Sequence, residues 1–307
     1  MDPYSVIDLN LLSSNDLTRD AIKEIFGIAE RLSSGKERVE LKEHTTMALF
    51  FEEPSTRTRV SLEAAITQLG GMPIYIDAHS SQRIRGEALA DTAKVLSLYC
   101  DFIAVRMNSH EGLLEIAANS KVPVINALTS LEHPTQALAD VYTIIAHKGE
   151  PRNLRIAFIG DIAQNTANSL MLTAAKLGAK ISLVGPDACK PNSIYFNKAR
   201  EYSKVDLSSS IEEGLEDADI VYTDTFVSMG DEDEAAARRK LFAPYQLNAD
   251  SLAYAKKDAL VMHPLPAHRG EEITADVIDG KRSIVWEQAA NKLLLEKAVL
   301  IYLSGKR

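Results

Sequence analysis

Brief runs of apolar residues alternate with longer stretches in which apolar and polar positions recur at helical spacing, almost from one end of the chain to the other. The runs that read as strands are Thr46–Phe51, Pro73–Ile76, Phe102–Val105, Val122–Ile125, Arg155–Ile159, Ile181–Val184, Ile220–Thr223 and Leu260–Met262. They are short, rich in β-branched and aromatic residues, and set apart by helical patterns. That arrangement is the signature of βα units around a parallel sheet. Two helices stand out. Asp91–Tyr99 places Ala93, Leu96 and Tyr99 on one face, and Gln288–Leu303 carries Ala289, Leu293, Ala298 and Ile301. Gly70-Gly71 ends a further helix that begins near Thr56.

A length of 307 residues is awkward for one compact core and comfortable for two domains of roughly 150 residues each. The polar run His147-Lys148-Gly149-Glu150-Pro151-Arg152-Asn153 precedes a fresh strand and marks the break. The expected fold class is therefore α/β, with two doubly wound parallel-sheet domains, flanking helices and an active site in the cleft between them. The first domain spans 1–148 and the second 149–287, and the closing helix 288–307 packs back on the first. The acidic and basic stretch Asp231–Lys240 reads as a solvated loop or helix face, and its place after a strand suits a mobile lid.

Composition narrows the function. The chain is 46% hydrophobic and 25% charged, as ordinary globular enzymes are. A formal charge of −9 and a pI near 5.4 argue against nucleic acid as the main partner. The two cysteines, Cys100 and Cys189, have no metal-type spacing. Cys100 follows an apolar run and reads as a buried small hydrophobe. The opening Met1–Leu17 lacks a basic region followed by an apolar one, and no run approaches the ~20 apolar residues of a membrane span. A cytoplasmic location is expected.

The most informative run is Phe50-Phe51-Glu52-Glu53-Pro54-Ser55-Thr56-Arg57-Thr58-Arg59. A strand ends, Pro54 turns the chain, and a helix opens with Ser55 as its N-cap. Unbonded N–H groups and the helix dipole favour an anion at such a start. Hydroxyls and the Arg57 fork suit phosphate oxygens. Taken alone, the same residues would make an ordinary well-capped surface helix. The run lacks the glycine-rich, Lys-Ser/Thr ending of a nucleotide loop, so ATP and GTP are not implied. A second run, Asn126–Asp140, comes after another strand and sets His133 and Gln136 three apart at a helix start, where both can face one point. Arg106 ends a third strand. Ligands in open α/β sheets collect at the carboxyl ends of strands, and the joint pattern of Arg57, Arg106, His133 and Gln136 points to one anion site.

Ser55-Thr56-Arg57-Thr58-Arg59 after Phe-Phe-Glu-Glu-Pro, together with His133-Pro134-Thr135-Gln136, resembles the aspartate/ornithine carbamoyltransferase superfamily over about Leu41 to Leu303. Tyr222–Gly230 with its Ser228-Met229-Gly230, Gln164–Ser169, and Pro266–Glu272 are similar to the ornithine branch. The resemblance implies carbamoyl transfer from carbamoyl phosphate to the side-chain amine of ornithine, giving citrulline and phosphate for arginine biosynthesis, with no metal or organic cofactor. It implies that Ser55, Thr56, Arg57 and Thr58 hold the phosphate, and that Arg57, Arg106 and His133 carry the catalysis. Arg106, His133 and Thr56 would face the carbonyl oxygen. Gln136 and the Pro264 and Leu265 carbonyls would orient the carbamoyl amide. Asn165, Asp224, Ser228 and Met229 would bind ornithine. Gln82 matches a residue that reaches a neighbouring subunit's site, which implies a homotrimer or a multiple of it.

Two positions depart from the ornithine branch. His263-Pro264-Leu265-Pro266 has Pro264 where that branch has cysteine, and Lys292 stands where it has arginine. Lysine keeps the charge and loses the bidentate fork, so its phosphate contact is expected to be weaker or water-bridged. Pro264 keeps open a sister enzyme acting on aspartate, putrescine or a substituted ornithine. A nucleotide-dependent oxidoreductase and an inactive carbamoyl phosphate sensor are the readings from other classes. Phe158-Ile159-Gly160-Asp161 lacks the dinucleotide glycine spacing, which opposes the first. The intact Arg57, Arg106 and His133 oppose the second.

Overall fold

The structure, a computed structural model, describes residues 10–35, 39–227 and 232–305. Contacts divide the chain into two compact units, residues 1–135 with 292–307, and residues 136–291. The helix Pro134–Lys148 spans this division, with its first two residues grouped with the first unit and the rest with the second.

The first unit carries strands β1 (Thr46–Phe51), β2 (Met72–Asp77), β3 (Phe102–Arg106) and β4 (Val124–Leu128), all parallel, in the order β2-β1-β3-β4. Helices α1 (Arg19–Ser33), α2 (Thr56–Gln68), α3 (Leu89–Tyr99) and α4 (His110–Asn119) belong to this unit. Continuous burial along β1 explains its unbroken apolar sequence: a strand covered on both faces needs no alternation. Strand β4 starts two residues later than the apolar pattern suggests. Pro123 has no N–H to give the ladder, although its carbonyl accepts from Ile103. The strand runs on through Asn126, whose side chain donates to the Leu12 carbonyl at 2.8 Å.

The second unit holds β5 (Arg155–Ile159), β6 (Lys180–Val184), β7 (Val205–Ser208), β8 (Ile220–Thr223) and β9 (Leu260–Met262) in the order β7-β6-β5-β8-β9, again parallel. Its helices begin with α5 (Pro134–Lys148), whose first two residues are counted with the first unit, and continue with α6 (Asn165–Lys176), α7 (Ser193–Arg200), α8 (Ile211–Leu215), α9 (Ala235–Phe242), α10 (Ala249–Leu252) and α11 (Ala275–Ile278). The last helix, α12 (Val285–Leu303), is shared between the units, with Lys292 onward in the first.

Strand β7 escapes the sequence pattern. It is an edge strand in which Val205 is buried while Leu207 is exposed, so one apolar side chain is all that marks it. Pairing with β6 supplies what periodicity does not. At the ends of β5 and β6 the backbones come close: a Cβ on Gly185 would lie 2.6 Å from the Gly160 carbonyl oxygen. Part of the stretch expected as a loop or helix face, Asp231–Lys240, is the helix α9.

Candidate active site

In the first unit β1 and β3 lie side by side, and the chain leaves them in opposite directions, towards β2 and β4. Their carboxyl ends border the crevice where open α/β sheets bind ligands. Helix α2 starts there. Ser55 is its N-cap, extended at φ −155, and its hydroxyl accepts from the Thr58 N–H at 3.3 Å. Thr56 and Arg57 are on the first turn, with Arg57 exposed and Thr58 buried. Arg106 ends β3 beside Phe51, and its carbonyl accepts from the Glu52 N–H.

Cations gather at this point. Lys292, buried on α12, donates to Thr58 Oγ1 at 3.0 Å and stands 3.3 Å from His133 Nε2. Burial pulls the Arg106 guanidinium down to about 10, Glu53 opposes the shift and Arg57 adds to it, so Arg106 still carries its proton at neutral pH. Burial, Lys292 and Arg106 together hold His133 well below its usual value. The imidazole is therefore neutral at physiological pH, and the ammonium on Nε2 leaves the ring proton on Nδ1. Glu132, fully buried, fixes the loop that carries His133. It accepts from the Ser13 hydroxyl at 2.6 Å and from the Ser14 N–H and hydroxyl at 3.0 and 2.9 Å. Thus Arg57, Thr58, Arg106, His133 and Lys292 meet, while Gln82 lies on the short turn Gln82–Arg85, none of whose residues is buried.

The second unit repeats the arrangement. Strands β5 and β8 are neighbours from which the chain departs in opposite directions. Asp224 comes directly after β8. Its carboxylate accepts from Thr166 Oγ1 at 2.7 Å and from the Thr225 N–H at 2.7 Å. Burial pushes the carboxyl up from its usual value; His263, Thr166 and Thr225 pull against the shift, and Glu272 adds to it. An ammonium beside it would reverse that shift, which makes Asp224 a cation-seeking group. Asn165 opens α6 next to Thr166. The Gln164 amide donates to the Thr225 carbonyl and laces the two loops together. Arg238 binds the Asp161 carboxylate and, at 2.9 Å, the Phe226 carbonyl. Ser228 and Met229 lie outside the described residues.

Gln136 donates through Nε2 to Asp140 Oδ1 at 2.8 Å. Asp140 is buried and also accepts from Gln288 Nε2 at 2.7 Å and from the Tyr222 hydroxyl at 2.9 Å. Burial and Asp140 push the Tyr222 phenol well up, so it stays an O–H donor. A network this buried and this well satisfied fixes the Gln136 side chain. The turn after β9 is pinned similarly. The Leu265 N–H donates to His263 Nδ1 at 2.9 Å, and His263 Nε2 faces Glu272 Oε1 at 3.1 Å. Glu272 also accepts from the His268 N–H at 2.6 Å. Pro264 and Leu265 sit between these anchors.

His268, Glu271 and Glu272 bring metal-capable atoms within 4.8 Å of one another. Glu272 is engaged by His263 and Glu271 by Arg239 at 2.9 Å, so the trio serves the turn. Cys189 donates to Asp161 at 3.1 Å, and burial with that carboxylate pushes its thiol up to about 12, far from a reactive thiolate.

Sequence patterns alone single out none of Thr166, Asp140, Tyr222, Gln288 or Glu272. Asp140 could have been found: it lies one helical turn beyond Gln136, and a carboxylate on a buried helix face demands donors. Its partners Tyr222 and Gln288 are 82 and 148 residues away, and no local pattern announces them.

Comparison with known proteins gives consistent matches. Residues 9–146 match the family model described as aspartate/ornithine carbamoyltransferase, carbamoyl-P binding domain, and residues 152–303 match the Asp/Orn binding domain. The chain is 43% identical over 304 residues to the ornithine carbamoyltransferase of Carboxydothermus hydrogenoformans, covering 96% of this chain and 97% of that one. The solved ornithine carbamoyltransferase of Pyrococcus furiosus superposes with a TM-score of 0.91 at 42% identity, covering 97% of each chain. The anabolic enzyme of Campylobacter jejuni gives 0.90 at 38% identity, covering 97% of this chain and 99% of that one.

Proposed function

This chain belongs to the aspartate/ornithine carbamoyltransferase family, and on that premise we propose that it transfers the carbamoyl group of carbamoyl phosphate to the side-chain amine of L-ornithine, yielding citrulline and phosphate in arginine biosynthesis. The observation that carries the reading is the convergence of Arg106 and Lys292 on a neutral His133, with Arg57 beside Arg106 and Lys292 on Thr58 in the first turn of α2. Like charges and a helix N-terminus crowd together only at a cost, and a bound phosphate dianion offsets it.

In this reading Ser55, Thr56, Arg57 and Thr58 hold the phosphate, and Lys292 adds charge from α12. Arg106 and His133 donate to the carbonyl oxygen as it gains charge in the tetrahedral transition state. Gln136, its amide N–H spent on Asp140, offers its carbonyl oxygen to the carbamoyl amino group, as do the Pro264 and Leu265 carbonyls. Asp224 pairs with the α-ammonium of ornithine, and Asn165, Ser228 and Met229 bind its backbone groups. The neutral side-chain amine attacks the carbonyl carbon, a C–N bond forms, and the C–O bond to phosphate breaks. The extra proton on the amine ends on the departing phosphate, which leaves as hydrogen phosphate. No metal or organic cofactor takes part in this scheme.

A carbamoyl-transfer assay with ornithine, putrescine and aspartate in parallel, detecting ureido product, tests the reading. Turnover with ornithine alone is expected, and equal or better turnover with another amine overturns the assignment of the acceptor. An alkyl ammonium titrates near ~10.4, so kcat/KM for ornithine should rise about tenfold per pH unit between about pH 6 and 8. A flat profile there would mean that the protonated amine is not what limits attack.

The enzyme is read as a cytoplasmic homotrimer or a multiple of it. Cys100 and Cys189 stand as free thiols, the state a reducing compartment maintains. No helix among the described residues is long and apolar enough to cross a membrane. The first unit exposes Met72, Ile84, Leu98 and Tyr99, the latter two by 69% and 71%, and large apolar side chains at such exposure suit a subunit interface. Gln82, two residues from Ile84, is the residue read as reaching the neighbouring site. Sedimentation is expected to show a species of about three times the 33.7 kDa chain or a multiple of that, and a fully active monomer overturns the shared site.

A further inference from the structure

Glu296 lies one helical turn beyond Lys292 on α12, so the two side chains share a face. Glu296 is 1% exposed, and among the described residues no hydrogen-bond donor lies at bonding distance from either carboxylate oxygen. A buried carboxylate in that state is costly unless a charge compensates it or it takes a proton. The groups that face it are the Lys292 ammonium on its own helix and the Ser61 hydroxyl on α2, and that hydroxyl is already directed to the Thr58 carbonyl at 3.3 Å. Lys292 in turn touches Thr58 Oγ1 and faces His133, which Arg106 also faces. The buried acid is therefore joined through one ammonium to the anion-binding turn of α2.

Resting on the assignment of that turn to the phosphate of the donor, we propose that Glu296 is the exchangeable counter-charge of Lys292. It balances the ammonium while the anion site is empty, and it takes up a proton from solvent when the phosphate of carbamoyl phosphate engages Lys292. Two anions then compete for one buried cation, and the carboxylate can be neutralised while the phosphate dianion cannot. Burial already pushes the Glu296 carboxyl up to about 7 against the pull of Lys292 and Ser61, so little further change is needed. The complex holds more protons than the free enzyme, so donor affinity falls as pH rises above the free-enzyme value, by up to about tenfold per pH unit. An acyl phosphate is already a dianion through this range and does not contribute.

The test is calorimetric titration of the whole enzyme with fresh carbamoyl phosphate between about pH 7 and 9, in paired buffers of different ionisation heat, which counts protons taken up. Wild type is expected to take up a substantial fraction of one proton near the middle of that range. In Glu296→Gln, which mimics the protonated form, uptake should vanish and the affinity should change little with pH. Glu296→Met serves as a second neutral variant that fits an apolar helix face, and it should behave the same way. Uptake that persists in both variants would come from His133, Lys292 or Arg106 and overturns the proposal, as does binding to wild type without uptake. A wild type that binds no carbamoyl phosphate overturns the donor-site assignment itself, and the proposal with it.

Discussion

Replacing Arg106 with alanine is expected to lower kcat by about 10²–10³ while leaving the fold intact. Loss of one preorganised donor to a developing oxyanion costs that much in comparable sites, or about 3–4 kcal/mol. Arg106 is fixed at the end of β3, its backbone is tied to Glu52, and it keeps its charge despite being pulled down to about 10. Burial desolvates its charge and Arg57 repels it, with Glu53 pulling the other way, so removing it relieves a buried, partly repelled charge. The thermal midpoint should therefore hold or rise as activity falls, the behaviour of a group kept for function against stability. Arg106→Lys retains charge without the fork and should fall between wild type and alanine. Steady-state kinetics beside thermal denaturation decides it. Loss of activity in step with loss of folding would instead make Arg106 a structural residue.

Asp224→Asn is expected to raise the KM for ornithine about a hundredfold, with the KM for carbamoyl phosphate within about threefold of wild type. Breaking a buried charge pair costs ~3–5 kcal/mol, and the lower end suits a half-buried carboxylate; tenfold corresponds to about 1.4 kcal/mol. Asparagine keeps an oxygen for Thr166 or for the Thr225 N–H, so the loops after β5 and β8 should stay joined. The pH dependence carries a second signature. Because the Asp224 carboxyl is pushed up by burial, acid protonates it early and wild-type ornithine affinity drops as pH falls through that raised value. The asparagine variant has no such group, so this acid limb disappears. Equal losses for both substrates would move Asp224 from the ornithine site to general support of the unit.

Much of this protein is legible in its sequence because the deciding signals are local. Parallel strands covered on both faces must be apolar throughout, which is why β1, β5, β8 and β9 fall where their runs predict. The α2 start is equally plain, since an N-cap is set by the identity of one residue and the turn before it, and Ser55 caps the helix as expected. The motif around His133 and the ornithine-like segments of the second half mark the family without any knowledge of tertiary contacts.

The tertiary structure decides the quantities that depend on partners distant in sequence. Only packing of α12 against α2 and the His133 loop puts Lys292 on Thr58 and beside His133, and burial together with that contact is what makes the imidazole neutral. Gln136 is oriented by Asp140, and Asp140 is satisfied by Tyr222 and Gln288 from other parts of the second unit. Edge strand β7 exists because β6 offers a ladder, not because Val205-Asp206-Leu207-Ser208 prefers to be extended. No local pattern in the sequence sets Glu296 apart. Its burial beside Lys292 is a property of the folded chain, because desolvation and charge coupling depend on what surrounds a group in space and not on its neighbours along the backbone.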